Sequence, residues 1–128
     1  MPTLDEYQEF TNETAIYGDS AAEAVRVAQT STGATLEKWM NLAYPAGKLN
    51  GESGEIAEEI FKAMRDDKCE ITPERKQKIR NELGDALYYI ARIAKHLDIP
   101  LSVVAEENIQ KLRSRKDRGV LKGSGSDR

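Results

Sequence analysis

Apolar residues recur at helical spacing through most of the chain, and strand-like alternation appears over no useful length. Ile79, Leu83, Leu87 and Ile90, joined by Ala86, Ile93 and Ala94, trace a wide stripe along one helix. Upstream, Leu49, Ile56, Ile60 and Met64 recur at spacings of four and seven. Val104, Ile109 and Leu112 mark a third inward face. No internal repeat is present. A chain so patterned is expected to be all-α: an antiparallel bundle of four to five helices joined by short loops.

Local signals place the boundaries. Thr3-Leu-Asp-Glu6 is a capping-box pattern that opens a helix through about Asn12, with Tyr7 and Phe10 on its apolar side. Asp19 or Ser20 is positioned to cap a short helix through about Gln29, and Thr30 to Gly33 reads as a loop. Residues 13–34 thus read as an insertion between core helices. A helix follows from about Leu36 to Asp66, broken or bent near Pro45. Thr72-Pro73 is a strong start signal for a helix running to about Leu97. Leu97 to Pro100 turns the chain, and a last helix spans about Leu101 to Arg115. Residues 1–118 form the expected domain. Residues 119–128 are either a flexible end or an arm that orders on a neighbour.

At 128 residues the expectation is one domain. A chain of this length buries roughly two thirds of its unfolded surface, enough for a single core without staples. No apolar run approaches the ~18–20 residues that cross a bilayer, and the acidic start "MPTLDEYQEF" has no apolar signal region. Cys69 is the sole cysteine, in what reads as an exposed link, so a reduced cytoplasmic setting is expected. The net charge of −3 argues against bulk binding of nucleic acid. Charge is nevertheless segregated: residues 52–59 are acidic and Lys111 to Arg118 basic.

The acidic run contains the chemistry. Glu52, Glu55 and Glu59 fall within roughly 60° of one another on a helix. On the next long helix Glu82 and Asp85, three apart, also share a face. A short connection makes these helices antiparallel, so the two acidic faces can oppose each other. Ionised carboxylates brought together repel, and the repulsion grows as water is excluded. Either some are protonated or cations hold them. Hard divalent ions favour oxygen ligands, and Mg²⁺ is commonly shared between protein carboxylates and substrate phosphates. Gly51, Gly54 and Gly84 interrupt these pairs. In a helix interior each costs roughly 1 kcal/mol relative to alanine. Small residues there let a neighbouring helix or a ligand approach closely. Spacing alone leaves a metal site and a solvated acidic face both open.

The segments "LNGESGEIAEEIFKA" and "NELGDALYYIARIAKHLDIPLSVVAEENIQKLRSR" together resemble the MazG-like all-α nucleoside triphosphate pyrophosphohydrolases. That family carries E-x-x-E, a gap, and E-x-x-D. Glu52 and Glu55 fill the first pair, Glu82 and Asp85 the second, and residues 56–81 fit the gap. The resemblance covers roughly residues 36–118, and "EYQEF" resembles the family's first helix; residues 13–34 match no motif. It implies hydrolysis of a (d)NTP to monophosphate and pyrophosphate, with two or more Mg²⁺ or Mn²⁺ ions held by the four acids. Glu58 matches a further acidic position that supports a ligand, binds another ion or orients water. Asn108 and Lys111 match the family's N-x-x-K, which contacts nucleotide or phosphate, and Arg115 is an addition to that set. Glu59 is read as ordinary surface charge.

The resemblance also implies a homodimer or homotetramer assembled through apolar helix faces. Relatives include housekeeping enzymes, pyrimidine-selective enzymes and a dGTP-selective viral subgroup called MazZ. The compact chain and its ending "RSRKDRGVLKGSGSDR" lean towards a purine deoxynucleotide, dGTP in particular. The alternatives are a non-catalytic nucleotide-sensing module and a nucleic-acid-associated protein using "KLRSRK". His96, the single histidine, sits at a helix end without an E-x-x-H partner, which argues against a ferritin-type di-iron site. Ser53 lacks a histidine partner and reads as a packing residue. "GSGS" neither opens a helix nor follows a strand, so it is no phosphate loop. Trp39, Tyr44, Tyr88 and Tyr89 are expected to serve packing, although any could stack on a base.

Overall fold

A computed structural model of the chain describes residues 3–15, 22–26, 29 and 33–122. Four helices carry the description: α1 (Leu4–Thr14), α2 (Gly33–Asp66), α3 (Pro73–His96) and α4 (Leu101–Asp117). Among the described residues there is no strand. The all-α class expected from the periodicity is what the chain adopts. The chain divides into two compact units, Met1–Met40 and Asn41–Arg128.

In the first unit, α1 opens on the capping box that its sequence announces. Thr3 Oγ1 accepts from the Glu6 N–H at 3.2 Å, and Glu6 Oε2 accepts from the Thr3 N–H at 2.7 Å. Two donors without partners inside the helix are thereby satisfied. Residues 22–26 are helical, within the span expected for a short helix ending near Gln29. Residues 16–21 and 30–32, with the proposed cap at Asp19 or Ser20 and most of the loop, lie outside the described residues.

α2 begins in the first unit and has most of its length in the second, which also holds α3 and α4. α2 starts at Gly33, earlier than Leu36, and continues through Pro45 as one α-helix. Of the break or bend expected near Pro45, the break is therefore corrected. Proline lacks the N–H that would bond one turn back, a loss of about 3 kcal/mol in a helix interior. Here its ring is buried, and burying apolar surface offsets part of that loss. α3 begins as expected: Thr72 Oγ1 accepts from the Arg75 N–H at 3.1 Å, with Pro73 in the first turn.

The links are tightly specified. After α2, Lys68 and Cys69 adopt φ of 54° and 63°, reversing the chain towards α3. Cys69 is exposed, as expected. At the end of α3 the Ile99 N–H reaches Ala94 O at 2.9 Å and the Asp98 N–H reaches Lys95 O at 3.2 Å, with Asp98 at φ 55°. This is a Schellman termination with an aspartate where glycine is usual. Gly119, at φ 71°, ends α4 in a related way, its N–H on Lys116 O at 3.0 Å. α3 packs against α4.

The core departs from expectation. Among the described residues the buried hydrophobic side chains are Ala63, Ala86 and Ala94. Ile79, Ile56 and Leu49 are half-buried. Ile60, Met64, Leu83, Leu87, Ile90, Val104, Ile109 and Leu112, expected to point inward, are exposed, Leu87 at 56% and Met64 at 56%. The described helices of the second unit do not by themselves cover these side chains.

Candidate metal centre

α2 and α3 run antiparallel across the short link 67–72 and bring the predicted acids together. Carboxylate oxygens of Glu52, Glu82 and Asp85 all lie within 4.8 Å of one another. Glu52 is buried at 7% exposure, Glu82 half-buried and Asp85 exposed, so the cluster grades from the helix interface out to solvent. Glu55 is exposed and contacts Glu82 from the α2 side.

The surroundings of Glu82 disfavour its ionised form. Burial holds its carboxyl above the usual carboxylate range, reinforced by a hydrogen-bonding contact with Glu55. The negative charges of Glu55, Asp85 and Glu52 push in the same direction. The other three sequence-predicted acids thus all act on Glu82. A set of oxygen donors whose central member resists ionisation fits a hard divalent cation, which would favour the charged form that burial disfavours.

One further residue faces the cluster. Lys48 Nζ lies 3.6 Å from Glu52 Oε1 and 5.9 Å from the centre of the Tyr89 ring. Tyr89 and Glu52 together raise the Lys48 pKa, Tyr89 most. Tyr89 meets Tyr88 edge-on, with ring centres 5.2 Å apart. The sequence reading missed Lys48, although its position one helical turn before Glu52 is the signal of an i,i+4 ion pair.

Glu58 is exposed and pairs with Lys62 at 3.2 Å. Asn108, Lys111 and Arg115 lie along α4, the first two exposed and Arg115 half-buried. Among the described residues Lys111 makes no ion pair with the four acids. Ser53 is exposed and its Oγ donates to Leu49 O at 2.9 Å within α2, so it is not the packing residue expected. His96 lies 3.2 Å from Arg92 at the end of α3, away from any acidic cluster among the described residues.

Two readings change. Glu59 is not ordinary surface charge: it is 9% exposed and accepts from Arg75 Nη1 at 2.6 Å and Lys62 Nζ at 3.0 Å. Lys62 and Arg75 hold its carboxyl below the usual range. The glycines, in turn, do not mark close packing of helices within the chain. A Cβ built on Gly51, Gly54 or Gly84 meets nothing within 4 Å.

Residues 46–120 match the model of the MazG nucleotide pyrophosphohydrolase domain. The chain is also similar to the Gene 37 protein of Mycobacterium phage L5, 39% identical over 126 residues that cover 98% of each chain. No solved structure gives a significant match. No described helix is long and apolar enough to cross a membrane.

Proposed function

Since the chain belongs to the MazG nucleotide pyrophosphohydrolase family, we propose that it is a metal-dependent enzyme converting a nucleoside triphosphate and water to the monophosphate and pyrophosphate. The observation that carries this is the convergence of Glu52, Glu82 and Asp85 within 4.8 Å, with Glu55 against Glu82. These four acids would hold Mg²⁺ or Mn²⁺, two or more ions per site. The ions, when bound, supply neutralisation of phosphate oxygens and acidification of a water.

The chain's own groups perform the rest. Burial of Glu52 fixes one carboxylate in place, while exposed Glu55 and Asp85 keep the solvent side open to triphosphate. Lys48 shields Glu52 from the other acids and is close enough to turn its charge to an incoming phosphate. Gly51 leaves room beside Glu55, because no side chain stands there. Asn108, Lys111 and Arg115 would bind the nucleotide's phosphates, and Lys111 or Arg115 would stabilise the leaving pyrophosphate. Glu58 would act as an auxiliary acid, orienting water once freed from Lys62.

A purine deoxynucleoside triphosphate, dGTP first, is the substrate we favour, on the resemblance of the basic, Gly- and Ser-rich ending to a dGTP-selective group. A cytoplasmic setting belongs to the same reading. The exposed apolar residues of α2 to α4, Phe61, Leu83, Leu87 and Ile109 among them, support a homodimer or homotetramer. Residues 119–128 would then serve as an arm on the neighbour.

The test is a panel. Purified protein is incubated with Mg²⁺ or Mn²⁺ and each common NTP and dNTP, and products are resolved by ion exchange. Monophosphate and pyrophosphate, fastest from dGTP, is the expected result. Turnover of none of them overturns the activity, and a pyrimidine preference overturns the substrate. Light scattering that returns a monomer contradicts the assembly.

A further inference from the structure

α2 and α3 are tied together a second time, away from the acids. Arg75 Nη1 donates to Glu59 Oε2 at 2.6 Å, and Arg75 Nε donates to Asp67 Oδ2 at 2.8 Å. The three side chains are 11%, 11% and 19% exposed. The Arg75 backbone N–H is bound as well, by the Thr72 cap. One guanidinium fork therefore joins α2, the link and the first turn of α3.

Its place along the helices gives it a role. Glu59 lies seven residues after Glu52 on α2, and Arg75 lies seven before Glu82 on α3. Seven residues are close to two turns, about 10 Å. Because the helices are antiparallel, Glu59–Arg75 and Glu52–Glu82 are two rungs of one register. The upper rung cannot hold itself, since its members repel. A slip of one residue shifts a helix by about 1.5 Å and turns its side chains by about 100°, enough to carry a carboxylate out of the cluster.

We propose that Arg75 is a positioning residue for the acidic centre: forked between Glu59 and Asp67, it fixes the register that makes the four acids converge. The proposal rests on reading those acids as a divalent-cation site. It does not require the ion pair to add stability. Buried pairs often contribute little net stability, and their best-attested use is to specify one register.

Coulomb attraction and positioning predict opposite signs for one substitution. Arg75→Gln removes a cation about 10 Å from Glu82, which by charge alone strengthens cation binding. Loss of positioning weakens it, by about tenfold or more, as for other residues that orient metal ligands. Metal-free wild type, Arg75→Gln and Glu82→Gln are titrated with Mn²⁺, free ion being read by electron paramagnetic resonance. The titration is run at a temperature where circular dichroism shows each protein helical. Weaker binding by Arg75→Gln is the expected result. Equal or tighter binding, with wild-type binding still dependent on Glu82, overturns the positioning role alone. Wild type that binds no Mn²⁺, or binds it regardless of Glu82→Gln, overturns the metal reading and the proposal together. Should Arg75→Gln lose its helical signal, Arg75→Lys is measured in its place. It keeps the charge without the fork, so weakened binding supports the clamp and unchanged binding overturns it.

Discussion

Replacing Gly51 by alanine separates helix propensity from ligand access. Gly51 lies inside α2, one turn before Glu55. In a helix interior alanine is favoured over glycine by about 1 kcal/mol. The new methyl meets nothing within 4 Å, so no clash offsets that gain. For a chain of this length about 1 kcal/mol corresponds to a rise in Tm of about 3–6 °C. The assay is a circular dichroism melt in EDTA, followed by steady-state kinetics with Mg²⁺ and nucleotide. We expect the higher Tm together with a raised KM, because the methyl narrows the approach to Glu55. A Tm that falls in EDTA would mean that another chain packs on Gly51, refuting the open-space reasoning. A higher Tm with unchanged kinetics would mean that the glycine is not kept for a ligand. Gly54, roughly 160° round the helix from Glu52, also meets open space. Alanine there should raise Tm without the kinetic penalty.

Glu82→Gln or Asp85→Asn should abolish hydrolysis while helicity by circular dichroism survives; full activity of either removes that residue from the site. The raised pKa of Glu82 sets a pH dependence. Its folded form binds a proton more tightly than the unfolded chain does, so metal-free stability falls as pH rises from near 4.5 through the raised value. Glu82→Gln should abolish that component of the slope in EDTA melts, whereas saturating Mg²⁺ should oppose it, since cation binding favours the ionised acid. At the end of α3, Asp98→Gly should stabilise the protein by about 1 kcal/mol in chemical denaturation, relieving a left-handed residue that glycine accepts freely. A loss of stability there would show that the Asp98 side chain contributes more than its backbone strain costs.

Short-range chemistry made much of the fold legible. The capping box at Thr3 and the Thr72-Pro73 start depend on residues three apart, and both occur as read. The four acids were legible because helical spacing fixes each pair and a short link forces the helices antiparallel. What escaped depends on partners distant in sequence. Glu59 resembles its acidic neighbours until Arg75, sixteen residues on, closes over it. Lys48 carries a local signal in its pairing with Glu52, but its contact with the Tyr89 ring comes from the next helix. Proline interrupts most helices, yet α2 continues through a buried Pro45, which no local signal announces. The apolar stripes were placed on the right helices, yet periodicity reports a face that wants covering and not the body that covers it.

The four acids of α2 and α3 are proposed to support pyrophosphohydrolysis with a divalent cation. Phosphorus NMR of dGTP incubated with the protein and Mg²⁺, beside Glu82→Gln and an EDTA control, tests it most directly. dGMP and pyrophosphate are expected from the wild type alone. Release of orthophosphate with dGDP, or equal turnover by Glu82→Gln, would contradict it.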